Sequence, residues 1–160
     1  MVWGRMWRLA VVIFLLALAL SACSKGKPRN PEADRAQIQQ VLAAESKGVV
    51  DEDINGLMSL WTGDAVVRDA NHTPNDPSDD VVWEGKDAIR ERYVKVVFPG
   101  NPPLVEHQIV AIKFEGNTAV VTTTTKIGNE VAPSGDRWKF KKVRGKWLIA
   151  GLTYNLEKGK

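Results

Sequence analysis

The hydrophobic spacing of this chain changes near Pro103, and this change limits the folds that are open to it. Before Pro103 the apolar residues recur at helical spacing, and after it apolar and polar residues alternate with a period of two. Helices followed by a long run of strands predict an α+β domain in which the helices cover one face of an antiparallel sheet. With 160 residues, 44% of them hydrophobic, the chain can form one such domain with its own core.

The first predicted helix begins at Asn30-Pro31-Glu32, which supplies an N-cap, a proline at the first helical position and an acid in the first turn. Its apolar face carries Ile38, Val41 and Leu42. Glu45 falls at the same spacing. We therefore expect the Glu45 carboxyl group to lie beside a buried stripe.

A second helix is predicted from Asp51 to Gly63, with a short strand from Ala65 to Val67 after it. The segment from Ala70 to Asp80 is rich in Pro, Asp and Asn and is predicted to be a loop. The third helix follows Gly85 and ends at Pro99-Gly100. Four strands of an antiparallel meander are then predicted, at Val105–Phe114, Thr118–Ile127, Asp136–Val143 and Trp147–Tyr154.

Residues 1 to 22 have the features of a secretion signal. Arg5 and Arg8 precede an unbroken apolar run from Leu9 to Leu20, and small residues follow it. The run is shorter than the roughly 20 residues that a membrane-spanning helix needs, so we expect it to be cleaved. Leu20-Ser21-Ala22-Cys23 resembles a bacterial lipobox, in which the cysteine is diacylated and the chain is cut before it.

Lipidation would account for Cys23, the single cysteine of the chain, which has no partner for an internal disulfide. We expect residues 23–31 to form a lipidated tether and residues 32–157 to form the domain, held in the bacterial cell envelope by its acyl chains. Ser24 after the cysteine favours the outer membrane in a host that has one. Cleavage removes Arg5 and Arg8, which leaves 20 basic and 19 acidic residues and indicates no polyanionic partner.

Two segments resemble the nuclear transport factor two superfamily, which includes ketosteroid isomerases and SnoaL-like polyketide cyclases. They are residues 53–69, DINGLMSLWTGDAVVRD, and residues 83–93, WEGKDAIRERY. The similarity covers nearly all of residues 32 to 155. It implies a cone-shaped, curved antiparallel sheet packed on three N-terminal helices, the cystatin-like fold, with a pocket inside the cone. Because members of this fold differ widely in function, the resemblance implies the fold more firmly than an activity.

The resemblance also implies candidate catalytic residues. Asp69 falls at the position of the isomerase general base, and Glu45 replaces the tyrosine that donates to the substrate oxyanion. Pro133 replaces the second oxyanion acid, and Asp136, three residues further on, is expected to face the other way. The isomerase oxyanion hole is therefore incomplete, which disfavours steroid isomerisation. His107 is the third polar group that the resemblance places near the pocket.

Two functions remain open at this point. The leading one is a noncatalytic envelope lipoprotein whose pocket, lined by Trp61, Tyr93 and Trp138, binds a small, partly apolar ligand, or whose sheet binds a protein partner such as a second copy of the chain. The alternative is a SnoaL-like or isomerase-type enzyme in which Asp69 removes a proton or activates water. Glu45 or His107 would then be the second acid or base.

Neither a cofactor nor a nucleic-acid partner is indicated. The chain has two histidines and one cysteine, which are too few nitrogen and sulfur ligands for a zinc site. Residues 137–146 are basic and aromatic, but Trp138 and Phe140 alternate with the basic residues. This alternation is typical of a strand with one buried and one solvated face, so we expect no nucleic-acid binding. The small number of nitrogen and sulfur ligands leads us to expect no metal.

Overall fold

The computed structural model of the protein describes residues 30–127 and 130–157. Its helices are α1 (Pro31–Val50), α2 (Ile54–Leu60) and α3 (Gly85–Arg92), and α3 continues as a π-helical turn at Tyr93–Val97 and a 3₁₀ turn at Phe98–Gly100. The predicted signal peptide, Cys23 and the tether as far as residue 29 lie outside the described residues. No helix of the described part has the length and apolar character to cross a membrane.

Six strands form one sheet in the order β2-β1-β6-β5-β4-β3. Neighbouring strands are antiparallel except β1 and β6, which run parallel. The three helices pack on this curved, unclosed sheet, so the predicted α+β fold class is confirmed. The strands are β1 (Trp61–Asp69), β2 (Val81–Glu84), β3 (Glu106–Glu115), β4 (Thr118–Ile127), β5 (Glu130–Val143) and β6 (Lys146–Tyr154).

The start of the sheet differs from the prediction in two places. The second helix ends at Leu60, and Trp61 is the first residue of β1, where it pairs with Ile149 of β6. The strand β2 was not predicted, because it is only four residues long and its valines Val81 and Val82 are exposed. An exposed edge strand buries neither face fully and so lacks the alternation that reveals a strand in a sequence.

The core lies between α1 and the inner face of the sheet. Ile38 and Leu42 of α1 are fully buried, and Glu45 is 6% exposed on the same face, as its spacing predicted. Burying a side chain of the size of leucine contributes roughly 1.5–3 kcal/mol, so this stripe holds the helix in place. The largest fully buried side chains on the other elements are Leu57, Trp61, Ile89, Tyr93, Trp138, Phe140 and Ile149.

Polar contacts fix α1 against β3. The Arg35 guanidinium donates to the carbonyl oxygen of Ile109 at 3.0 Å, and the Gln39 amide donates to the carbonyl oxygen of His107 at 2.9 Å. Both acceptors lie just before a register shift between β3 and β4, where inter-strand pairing is interrupted. These two contacts therefore set the distance between the helix that carries Glu45 and the strand that carries His107.

Candidate functional site

A cavity of about 490 Å³ opens between the end of α1, the turns after α3, and the ends of strands β3, β5 and β6. This volume falls within the usual range for small-molecule pockets, about 300–1,000 Å³. Its walls are mainly apolar. The apolar lining residues are Val49, Val97, Pro102, Pro103, Val105, Trp138, Leu152 and Leu156. A smaller set of polar and charged side chains lines the same cavity and gives it its chemistry.

Tyr93 and Glu45 form a buried hydrogen bond in the cavity wall. The Tyr93 hydroxyl donates to Oε1 of Glu45 at 2.6 Å. Burial, followed by the charge of the Glu45 carboxylate, raises the pKa of the Tyr93 phenol well above its ordinary value of 10.0. The phenol is therefore a permanent donor that holds one carboxylate oxygen, which leaves Oε2 of Glu45 for another partner.

The His107 imidazole lies between two carboxylates. Its Nε2 is 3.8 Å from Oε2 of Glu45, and its Nδ1 is 3.9 Å from Oδ2 of Asp136. The His107 side chain is 8% exposed, and its buried Nδ1 has no hydrogen-bond partner within the described residues. The Trp138 indole packs edge-on against the ring with 5.1 Å between centroids. The imidazole of His107 therefore lies between two carboxylate groups in the lining of the cavity.

The position of Asp136 corrects the sequence prediction, which had its side chain facing away from the pocket. In the structure Asp136 lines the cavity. Asp136 pairs with the buried Thr123 of β4 and so lies on the inner face of the sheet. Next to it β5 has a bulge, because Ala132 pairs with Thr125 and β5 therefore has two more residues than β4 over this stretch. The prediction was wrong because it took Pro133 as the reference for the inner face.

Gly135 makes this bulge possible. Its φ angle is +58°, a left-handed conformation that favours glycine, and a Cβ atom placed on it would lie 1.5 Å from the carbonyl oxygen of Thr123. Beyond the bulge, Asp136 lies on the same face as Trp138, two residues later, whose indole nitrogen donates to Thr123 Oγ1 at 3.2 Å. Counting from the buried Trp138 would have placed Asp136 on the inner face.

Arg92 supplies a positive charge to the cavity lining. Its guanidinium carbon lies 5.1 Å from the ring centroid of Trp83, 5.0 Å from that of Tyr154 and 5.8 Å from that of Tyr93. Its Nε atom is buried without a hydrogen-bond partner in the described part of the chain. No sequence pattern marks Arg92, because the three rings come from β2, β6 and the π-helical turn.

The remaining predicted site residues fall outside the cavity lining. The Asp69 carboxylate, at the end of β1, accepts from the backbone nitrogen of Asn71 at 2.9 Å and from the Asn155 side chain at 2.8 Å. It is partly buried and serves a turn rather than the cavity. Trp61 is buried in the core, where it meets Tyr93 edge-on at 6.3 Å. The structure places Tyr93 and Trp138 in the lining itself.

The described residues hold no cluster of three or more His, Cys, Asp or Glu side chains that is arranged for a metal ion. His107 has two carboxylate neighbours, Glu45 and Asp136, but they lie on opposite sides of the ring and approach different nitrogens. The two carboxylates and the imidazole therefore do not point to one common position where a metal ion could bind.

The comparison with known proteins agrees with this architecture. Residues 32–149 match the family model of the SnoaL-like domain. The chain belongs to the SnoaL-like family. No curated protein matches the chain in sequence.

Solved structures similar to this SnoaL-like domain share its fold at low sequence identity. An NTF2-like protein of unknown function from Shewanella baltica is 18% identical with a TM-score of 0.56, covering 79% of this chain and 95% of that one. An NTF2-like protein of unknown function from Pseudomonas putida is 17% identical with a TM-score of 0.53, covering 76% and 85%. An NTF2-like protein with a cystatin-like fold from Novosphingobium aromaticivorans is 16% identical with a TM-score of 0.54, covering 76% and 80%. These similarities establish the fold, and the activity depends on the residues that line the cavity.

Proposed function

We propose that this SnoaL-like domain binds a small, partly apolar organic molecule in its cavity and that the His107 imidazole transfers a proton to or from it. The observation that carries this proposal is the place of His107 between Glu45 and Asp136, at 3.8 and 3.9 Å, in a mainly apolar cavity. An imidazole can accept and release a proton near neutral pH, which makes it the commonest acid–base group in enzymes.

The surrounding groups support this role. The Tyr93 hydroxyl fixes one oxygen of Glu45, so the other oxygen is held on the side of His107. The distance of 3.8 Å between Nε2 and the Glu45 carboxylate exceeds the length of a hydrogen bond, so Nε2 can still contact a bound molecule. Hydrogen bonds in catalytic sites often tighten only when the substrate is in place. The two carboxylates would then stabilise the imidazolium that forms when His107 takes a proton.

Two alternatives use the same domain differently. The enzyme with Asp69 as its base is less favoured, because the Asp69 carboxylate is already held by Asn71 and Asn155 and does not line the cavity. Ligand binding without catalysis uses the same apolar walls and requires no proton transfer. Measuring proton removal from a probe separates ligand binding without catalysis from catalysis by His107.

The test uses nitrobenzisoxazole, a small, neutral, largely apolar probe of general bases. A base removes the proton from its ring C–H, the N–O bond breaks, and a coloured cyanophenolate forms, so that kcat/KM is measured by absorbance. We expect the purified protein to accelerate this elimination and His107→Gln to lower kcat/KM by about 10²- to 10⁴-fold. Glu45→Gln and Asp136→Asn should have smaller effects, because these carboxylates act through the imidazole.

Glu115→Gln is the matched control, since Glu115 is an exposed acid at the end of the same strand as His107 and does not line the cavity. Its kcat/KM should equal that of the unaltered protein. A protein no faster than the same concentration of free imidazole, or an His107→Gln variant with the full rate, would refute the proton transfer and leave ligand binding without catalysis.

We also propose that the domain is anchored in the bacterial envelope through a diacylated Cys23. Its support is the basic start, the short apolar run and the lipobox-like Leu20 to Cys23, all read from the sequence. Mass spectrometry of the membrane-fraction protein should detect a diacylglyceryl group on Cys23, and Cys23→Ala should move the protein out of the membrane fraction. A Cys23→Ala protein that stays with the membranes would refute the anchor. A homodimer through the outer face of the sheet stays a prediction, which sedimentation or light scattering can test.

A further inference from the structure

Among the described residues that line the cavity, Arg92 is the one whose side chain is positively charged at every accessible pH, and aromatic rings lie close to its charge. Three aromatic rings surround its guanidinium group, from Trp83, Tyr93 and Tyr154. Aromatic faces attract a cation, but they do not replace the hydrogen bonds that its N–H groups make in water. The Arg92 Nε atom has no such bond from any described residue.

Two other partly buried basic side chains of the domain have a carboxylate partner. Arg68 donates to Asp80 at 2.8 Å, and Lys142 donates to Asp34 at 2.6 Å. Arg92 has no carboxylate of the described residues within ion-pair distance, even though Glu45, Asp136 and Glu157 line the same cavity. A partly buried guanidinium that lines the cavity without an ion-pair partner can therefore bind an anionic group that the described residues do not supply.

The surroundings favour a carboxylate over a phosphate. The rings lie against the guanidinium and help to fix its orientation, and its edge of N–H donors matches the two oxygens of a carboxylate. A phosphate monoester carries nearly two negative charges and is usually held by several donors. Here it would meet one arginine and three acidic side chains of the lining, Glu45, Asp136 and Glu157, which would repel it.

We propose that Arg92 binds the carboxylate group of the ligand, so that the ligand is a small carboxylic acid with an apolar body. This inference rests on the proposed function only in taking the cavity as the ligand site. Arg92 would anchor the carboxylate while the apolar walls, including Leu152 and Val97, hold the rest of the molecule. Arg92 is then a determinant of ligand specificity, and His107 remains the group that moves the proton.

The test compares naphthoate with naphthamide, two probes of nearly the same shape of which only the first carries a negative charge. Titration calorimetry of the full chain should give a dissociation constant for naphthoate roughly 10- to 100-fold below that for naphthamide, the range expected for hydrogen bonds to a charged group. Arg92→Gln should abolish this preference. Arg92→Lys should retain part of it, because lysine keeps the charge and loses the planar pair of donors.

Arg90→Gln is the control, since Arg90 lies two positions earlier on α3 and does not line the cavity. Equal affinity for the two probes in the unaltered protein, or a preference that survives in Arg92→Gln, would overturn the inference. Tighter binding of naphthyl phosphate than of naphthoate would overturn the assignment to a carboxylate. Circular dichroism and a thermal melt check that each variant folds. If Arg92→Gln does not fold, the partial loss of the preference for naphthoate in Arg92→Lys provides the test.

The two proposals fail separately. Nitrobenzisoxazole is neutral, so its elimination reports on the base at His107 and not on recognition of an anion. The ratio of naphthoate to naphthamide affinity involves no proton transfer from carbon. A protein that eliminates nitrobenzisoxazole but binds both naphthyl probes equally would refute the role of Arg92 alone, and the reverse result would refute the role of His107 alone.

Discussion

Replacing Tyr93 with phenylalanine tests the buried hydrogen bond on which the geometry of the cavity depends. Tyr93→Phe removes a donor at 2.6 Å from a carboxylate that is 6% exposed and leaves the packing of the ring unchanged. Hydrogen bonds to charged groups contribute about 1.5–3 kcal/mol, and the burial of Glu45 limits compensation by water, so we expect a loss of about 2 kcal/mol at neutral pH. In a domain of this size the Tm should fall by roughly 4–8 °C.

The difference in stability between the unaltered protein and Tyr93→Phe should shrink as the pH rises above 10.0. The pKa of the Tyr93 phenol is raised in the folded protein, so above the ordinary value of 10.0 the unfolded chain loses this proton while the folded chain keeps it. The contribution is fully present below pH 10.0, and the free energy of unfolding of the unaltered protein should then fall by about 1.4 kcal/mol per pH unit. Phenylalanine has no ionisable group, so the free energy of unfolding of Tyr93→Phe does not fall with pH for this reason.

Urea denaturation of both proteins between about pH 8 and 11 measures the difference in the free energy of unfolding. The variant should be less stable by about 2 kcal/mol at the lower pH, and the gap should close above pH 10. Tyr154→Phe is the matched control, because Tyr154 is the second tyrosine and is half-buried, with a pKa that burial raises less strongly. A difference between Tyr93→Phe and the unaltered protein that stays constant over this pH range would refute the reasoning.

Three further predictions follow from contacts in the described residues. Gly135→Ala should cost more than about 2 kcal/mol in chemical denaturation, because the new Cβ atom would lie 1.5 Å from a carbonyl oxygen of β4 and the backbone has a positive φ; an unchanged midpoint would contradict the bulge. Asp34→Ala should cost about 2–3 kcal/mol, since it removes a carboxylate that accepts from the buried Trp147 indole nitrogen at 2.9 Å and pairs with Lys142; a loss below about 0.5 kcal/mol would contradict this. Asp69→Asn should lower the elimination rate of nitrobenzisoxazole far less than His107→Gln does, and a loss of about 10²-fold or more would return the role of base to Asp69.

The helices and the meander could be predicted from the sequence because both depend on short-range spacing. The period of 3.6 places Ile38, Leu42 and Glu45 on one buried face of α1, and the period of two gives the antiparallel strands β3 to β6. Both patterns follow from which side chains a regular backbone presents to the core. The parallel pairing of β1 with β6 and the exposed edge strand β2 have no such local signature, because they depend on contacts between distant segments.

The candidate site shows the same division. The sequence identified Glu45 by its helical spacing, and the family resemblance brought in His107, but only the fold brings these two residues to 3.8 Å. Asp136 lies on the inner face because it pairs with the buried Thr123 of β4, a pairing between distant segments that the count from Pro133 missed. The surroundings of Arg92 depend on three elements meeting around one side chain. Periodicity therefore determined which residues are buried, and tertiary packing decided which charged groups meet, because those contacts join segments that are distant in the sequence.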